Sequence, residues 1–296
     1  MQAELIVDAQ NATGESPVWH SAENALYWVD IPAGRLHRWT PDGQTRHWQS
    51  EEMLACIARS ADGQWLAGQE TGLFHLTPQD NGQLRARPLA AVEHATAKMR
   101  FNDGRCDRQG RFWAGTMQVN MGGDSVGGLY RYDGEQAGIV PLLQPQLEGL
   151  VVPNGLAFSP DGRTMYLSDS HPSVQLIWAF DYDTDTGTPS NRRVFVDMNQ
   201  HPGRPDGAAV DAEGCYWICA NDAGLILRFT PEGKLDRSLA VPVKKPAMCA
   251  FGGSGLDTLF VTSIRPQGDL SDQPLAGGVF ALNPGVKGLA EPVARG

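Results

Sequence analysis

An all-β fold, a six-bladed β-propeller with four-stranded blades around a central channel, is predicted by three observations. A short strand pattern recurs six times, its recurrence has the spacing of a propeller blade, and helical periodicity is weak in a chain rich in turn formers. The 296 residues include 34 glycines and 20 prolines, a turn content well above average usage.

The recurring strand reads ALYWVD (25–30), QWLAGQ (64–69), RFWAGT (111–116), TMYLSD (164–169), CYWICA (215–220) and TLFVTS (258–263). Aromatic and β-branched residues dominate it, as a pleated, buried strand requires. The segments SAEN, SADG, DRQG, SPDG, DAEG and GSGLD precede the six copies and carry the Asn, Asp and Gly that tight hairpins need. A second hairpin follows most copies, as in GRLHRWTPDGQTRHW and LILRFTPEGKLDRSL, so each unit reads as a four-stranded meander. Taking Tyr27, Leu66, Trp113, Tyr166, Trp217 and Phe260 as equivalent gives intervals of 39, 47, 53, 51 and 43 residues. Blades repeat every ~40 to 50 residues. Only AAVEHATAKM (90–99) offers a helical turn, so α/β architectures are disfavoured. Two stacked β-sandwiches need a linker near the middle, and no such break interrupts the repeat; residues 1–296 are expected to form one domain.

Composition narrows the function. The formal charge of −10, without a basic patch, disfavours a nucleic-acid partner. No stretch approaches the ~20 apolar residues of a membrane helix. Cys56, Cys106, Cys215, Cys219 and Cys249 lack the paired spacing of a zinc site and are expected to be reduced core residues; Cys215 and Cys219 share a strand face as packing. The start, MQAELIVDAQ, has neither a basic n-region nor a long apolar h-region, so a cytoplasmic location is expected and the Asn11-Ala12-Thr13 sequon is idle. A monomer is the default.

The innermost strands hold the chemistry. Stepping back 11 or 12 residues from the equivalent aromatics reaches Glu15 in GESPVW, Asn102 in RFNDG, Asn154 in VPNGLAFS and Asp206 in RPDGAAVD. Blades two and six place apolar Leu54 and Met248 near that position. Because innermost strands line the channel, two carboxylates and two carboxamides from four blades converge at one end. Asn or Asp before Gly is often only a turn former, but Glu15 is no turn favourite, and four such residues at one position favour a ligand ring. Oxygen donors without thiolate suit calcium or magnesium and tolerate manganese, zinc or iron(II).

Other motifs carry less. Gly123 to Gly127 spells G-x-S-x-G, but a nucleophile elbow needs a helix after it, and GGLYRYDG reads as strand and turn. DYDTDTG (181–187) lacks the glycine position and the terminal Glu of a calcium loop, and reads as a hairpin turn. His171 and His201 lie in loops near SDS and PDG, where facing the channel mouth is the alternative to the surface position expected of them. Trp19, Trp28, Trp113, Trp178 and Trp217 are expected between blades.

Taken in order, GESPVW, YWVDIPAGRLHRW, RFNDGRCDRQGRFWAGTM, NGLAFSPDGRTMYLSDS, AFDYDTDTG, SNRRVF and PDGAAVDAEGCYW make the chain resemble the senescence marker protein (regucalcin), gluconolactonase and sugar-lactonase family over nearly its whole length. The resemblance implies a six-bladed propeller with one divalent metal ion held by Glu15, Asn154 and Asp206, and substrate contacts from Arg100 and Asn102. Some members carry a substrate-contacting Glu where this chain has Asn120, a candidate contact whose change leaves their substrate choice untransferred. The implied reaction is hydrolysis of a glucono-, galactono-, arabinono- or xylonolactone. Asp206 is the expected general base, with a hydroxide on the metal as the alternative. Organophosphate hydrolysis and a non-catalytic calcium-binding role are the competing readings.

Overall fold

The computed structural model describes residues 2–134 and 139–295, which form six four-stranded antiparallel sheets arranged as a six-bladed β-propeller. The innermost strands are Gly14–His20, Cys56–Arg59, Met99–Cys106, Pro153–Phe158, Arg204–Val210 and Pro246–Gly252, packed side by side around the ring. The six recurring segments form the second strands, Ala25–Asp30, Trp65–Gly68, Phe112–Gln118, Thr164–Asp169, Tyr216–Asn221 and Thr258–Ser263. The tight turns joining the two strands are present, with Gly63, Gly110, Gly162 and Gly214 each donating its N–H to the carbonyl three residues earlier.

The second strands are buried on both faces, which explains their lack of apolar and polar alternation. Large rings fill the wedges between blades. Trp19 stacks on Phe260 at 5.3 Å between blades one and six, and Trp217 meets Phe251 edge-on at 6.0 Å between blades five and six. Trp113 donates its indole N–H to Tyr182 at 3.0 Å between blades three and four. Full burial of such a side chain contributes about 2 to 3 kcal/mol. All five cysteines are buried and unbridged.

One feature departs from the sequence reading and a second lies outside it. The 90–99 segment forms no helical turn: Ala90 and Ala91 pair with Leu73 and Gly72 at the end of the outer strand Leu84–Ala91, Met99 opens the inner strand Met99–Cys106, and pairing at the two ends outweighs local helix propensity. Among the described residues the only helix is the 3₁₀ turn Met198–Gln200, and no helix is long and apolar enough to cross a membrane. Second, the outermost strand of blade six is Glu4–Val7, from the start of the chain, paired with Val279–Leu282. The first and last parts of the chain thereby close the ring within one sheet.

The inner strands share a defect that positions the site. In blade one Glu15 pairs with Val29 and Val18 with Tyr27, so one extra residue is inserted on the inner strand; blades three, four, five and six repeat this at Phe101/Gly104, Asn154/Ala157, Pro205/Ala208 and Pro246/Cys249. In blade two, pairing over Cys56–Arg59 is regular. Glu15 and Asn154 occupy the last paired position before the bulge, and Asn102 and Asp206 the first position within it. This is why the aromatic lies 12 residues ahead in two blades and 11 in the other two. In a regular strand adjacent positions face opposite sides; a bulge breaks the alternation and re-aims the side chain. The Asp206 bulge also requires glycine at 207, where a Cβ would lie 2.4 Å from Met248 Cβ of the neighbouring blade.

Removing the closing strand, residues 2–7, is expected to lower the thermal midpoint by about 5 to 10 °C, since Ile6 and Val7 pack against the Trp19 and Trp28 cluster and their loss exposes a sheet edge. An unchanged midpoint in a melting experiment contradicts closure by this strand.

Candidate functional site

At one end of the channel the inner strands surround a cavity of about 460 Å³, lined by Glu15, Arg100, Asn102, Asn120, Asn154 and Asp206 among others. All six residues singled out in the sequence therefore share one cavity, of a size suited to a small-molecule ligand. The sixth, Asn120, is an exposed residue at its lip. The opposite mouth is closed: Arg105 reaches Glu291 of the C-terminal segment at 2.9 Å and donates to the Ala208 carbonyl at 2.8 Å. The void left there is about 20 Å³.

A chain of hydrogen bonds crosses three blades. Arg100 Nη1 donates to Asn102 Oδ1 at 2.7 Å, Asn102 Nδ2 to Asn154 Oδ1 at 2.8 Å, and Asn154 Nδ2 to Asp206 Oδ1 at 2.9 Å. Asn221 Nδ2 holds the other Asp206 oxygen at 2.6 Å. Behind this chain, Ser170 accepts from Asn154 at 2.7 Å and donates to the Pro205 carbonyl. The loops feeding the inner strands are also fixed by carboxylates. Asp30 accepts from the backbone of Ala12 and Thr13 ahead of Glu15, and Asp169 accepts from Val151 and Val152 ahead of Asn154.

Sequence reasoning missed Asn221 and Ser170. The signal was available: each lies four residues after its blade's equivalent aromatic, Trp217 and Tyr166, Asn221 as the last residue of its second strand and Ser170 one residue past the end of its own. It also missed Asp103. This buried carboxylate accepts from Leu156 N at 2.8 Å, bracing the bulge of blade four, and its Oδ1 has no partner among the described residues.

The electrostatics are unbalanced. Burial, together with the charges of Asp206 and Asp103, pushes the Glu15 carboxyl well above its usual range. Burial raises Asp206 to about 7 against the opposing pull of Arg204, and burial also raises Asp103. Arg100 is lowered by burial to about 10, despite the nearby carboxylates. The hydrogen bond received by Glu15 comes from its neighbour Ser16 N at a long 3.3 Å. Two carboxylates lining one cavity with insufficient countercharge, beside the Asn154 carboxamide whose oxygen is held by Asn102, fit a hard divalent cation, which supplies the missing charge and is matched by an all-oxygen donor set. Glu15, Asn154 and Asp206 are the residues that can hold it.

A second trio, Asp211, Glu213 and Cys215, has its ligand atoms within 4.8 Å of one another at the far end of blade five. Its carboxylate is already committed: Asp211 accepts from Trp217 Nε1 and Arg228 Nε, each at 2.8 Å, and from the backbone of Glu213 and Cys215. This is a turn anchor neutralised by Arg228. The other motifs behave as structure. Gly127 opens the strand Gly127–Tyr132 with no helix after it, and residues 183–187 form the turn between Leu176–Asp183 and Thr188–Asp197. His171 bonds Ser173 and His201 packs on Phe229, and neither lines the cavity.

Residues 13–265 match the SMP-30/Gluconolactonase/LRE-like region, and the chain belongs to this family. It is 40% identical over 296 residues to a 6-deoxy-6-sulfogluconolactonase of Pseudomonas putida, with 98% of each chain covered. To a pentonolactonase of Haloferax volcanii it is 32% identical, covering 98% of this chain and 97% of the relative. Among solved structures, a calcium-binding protein, regucalcin, from Agrobacterium tumefaciens superposes with a TM-score of 0.89 at 27% identity, covering 100% of this chain and 97% of that one.

The raised carboxyls predict an unusual pH dependence for metal-stripped protein. Asp206 binds its proton more tightly folded, near 7, than unfolded, near ~4. Its stabilising contribution is complete below ~4 and is lost as the pH rises through about 7, the reverse of an ordinary salt-bridged carboxylate. Denaturant titrations of stripped protein should therefore show stability falling across this window, with a divalent cation restoring it at the alkaline end and Asp206→Asn flattening the slope. A slope unaffected by Asp206→Asn contradicts the assignment.

Proposed function

We propose that the protein opens the ring of a sugar-acid lactone, an aldonolactone of the glucono-, galactono-, arabinono- or xylono- type, by metal-assisted attack of water on the ester carbonyl. The observation carrying this reading is the convergence of Glu15, Asn154 and Asp206 in one cavity beside the donors Arg100 and Asn102. The names of the two lactonase relatives, each matching over nearly its whole length, point the same way. Glu15, Asn154 and Asp206 would hold a divalent cation, which would supply Lewis acidity toward the ester carbonyl.

The remaining roles belong to the chain's own groups. Arg100 and Asn102 border the cavity as a guanidinium fork and an amide, able to hold the hydroxyls and ring oxygen of the sugar and so fix the carbonyl in place. Asp206 takes the proton from the attacking water. Asn154 and Asn221 hold one oxygen each, which orients the carboxylate while leaving each oxygen a further lone pair for that proton. It then returns the proton to the departing ring alkoxide, so the hydrolysis balances without a covalent enzyme intermediate. The closed far end of the channel limits entry to the side where Asn120 lies.

Acid release from an aldonolactone panel, followed at constant pH, tests the reading. Metal-stripped protein should be inactive and should recover on addition of calcium, magnesium, manganese, zinc or iron(II), with rates that rank the ions. Asp206→Ala should lower kcat by at least about 10³-fold, and Asn102→Ala should lower kcat/KM by about 10- to 100-fold while retaining the metal. Failure of wild-type protein to hydrolyse any lactone with any of these ions overturns the reading; turnover of a fluorophosphate in its place favours phosphoester chemistry.

A further inference from the structure

We infer that Arg204 and Lys245, on the blade five and six side of the cavity, form an anion-binding subsite that selects lactones carrying a second, negatively charged group distant from the ester. The inference rests on the lactonase reading and specifies the substrate class within it.

The charge pattern is the first argument. The chain as a whole carries a formal charge of −10, yet the charged side chains lining this cavity are three cations, Arg100, Arg204 and Lys245, against two carboxylates, Glu15 and Asp206. A divalent ion on those carboxylates makes the cavity more positive still. With that ion bound, the charged groups at the cavity, Asp222 included, carry a net positive charge, and a concave site of net positive charge concentrates anionic ligands. A neutral polyol lactone needs hydrogen-bond donors and acceptors, and Arg100, Asn102 and Asn120 already provide these on the blade three side. Two further cations across the cavity exceed that need.

The geometry is the second. Arg204 Nε contacts Asp222 Oδ2 at 2.6 Å, and Lys245 Nζ contacts the other oxygen of the same carboxylate. One carboxylate thus joins two cations and leaves one positive charge unmatched. Asp222 lies in the turn between Tyr216–Asn221 and Leu225–Phe229 with φ at +76°, a left-handed conformation uncommon outside glycine. Arg204 Nη2 also donates to Asn221 Oδ1 at 3.3 Å, and Asn221 holds Asp206. The guanidinium is thereby fixed relative to the carboxylate at the reaction centre. The Arg204 and Lys245 side chains are 19% and 27% exposed, sheltered enough for their field to be screened less than that of a surface pair. A sulfonate or carboxylate on the exocyclic carbon of a ring bound over Asp206 can accept from both.

The test compares gluconolactone with its analogue carrying a sulfonate in place of the 6-hydroxyl, using metal-loaded protein. The expected kcat/KM ratio favours the sulfonated lactone by at least about tenfold, the worth of one charge-assisted contact, and declines with added salt. Lys245→Gln and Arg204→Gln should each reduce that ratio by about tenfold, and Lys245→Arg should retain it. A wild-type ratio near one, or a ratio unmoved by Lys245→Gln and Arg204→Gln, overturns the subsite even where both lactones are hydrolysed. Calorimetric binding of the ring-opened sulfonated acid and of gluconate supplies a readout independent of turnover. Preference for the sulfonated acid that is lost in Lys245→Gln supports the subsite although neither lactone is hydrolysed, an outcome that overturns the lactonase reading alone. Equal binding of the two acids overturns the subsite.

Discussion

Burying carboxylates near one another is costly, and the propeller does this with Glu15 and Asp206 in the cavity at one end of its channel and with Asp103 on an inner strand. Each loses hydration, and Glu15 and Asp206 also repel one another, so their protons are held more tightly than usual. Arg100 offsets part of the charge but is itself desolvated. The rest of the local structure follows from keeping these groups in place: amides from the neighbouring blade four and from its own blade hold Asp206, and the backbone of Leu156 holds Asp103. Such an arrangement is more costly than a hydrophobic channel unless a cation joins it, and this is the physical ground for reading it as a metal site.

The bulge on the inner strands solves a geometric problem. Four oxygen-bearing side chains must point into one cavity from strands whose alternate residues face opposite sides. One inserted residue per strand frees the position beside the last regular pair, so that Glu15 and Asn154 before the bulge meet Asn102 and Asp206 within it. Asp30 and Asp169 then tether the incoming loops of blades one and four. With the far mouth closed by Arg105 and Glu291, the scaffold exposes the site from one side, as expected of a reaction that gains from limited water.

Much of this was legible in the sequence because repeats average out local ambiguity. Tyr27, Trp113, Tyr166 and Trp217 mark equivalent strands, and the residues 11 or 12 positions earlier are the ones lining the cavity. What remained hidden depended on pairing. The irregular step is a bulge, visible only once Val18 is seen opposite Tyr27. The closing strand Glu4–Val7 belongs to a blade hundreds of residues away, a contact no local pattern encodes. The helical pattern at 90–99 yields to strand pairing at Ala90 and Ala91. Arg204 and Lys245 resemble ordinary loop cations until Asp222 is found between them.

The central claim is that Glu15, Asn154 and Asp206 hold one divalent cation at the bulged ends of their strands. Calorimetric titration of stripped protein with calcium or manganese, in buffers of differing ionisation enthalpy, tests it most directly. The account predicts one ion per chain, bound with release of protons near neutral pH because the carboxyls it binds are protonated there, and loss of that binding in Glu15→Gln combined with Asp206→Asn. Binding that survives this pair of substitutions but disappears in Asp211→Asn would contradict the claim, placing the ion at the far end of blade five.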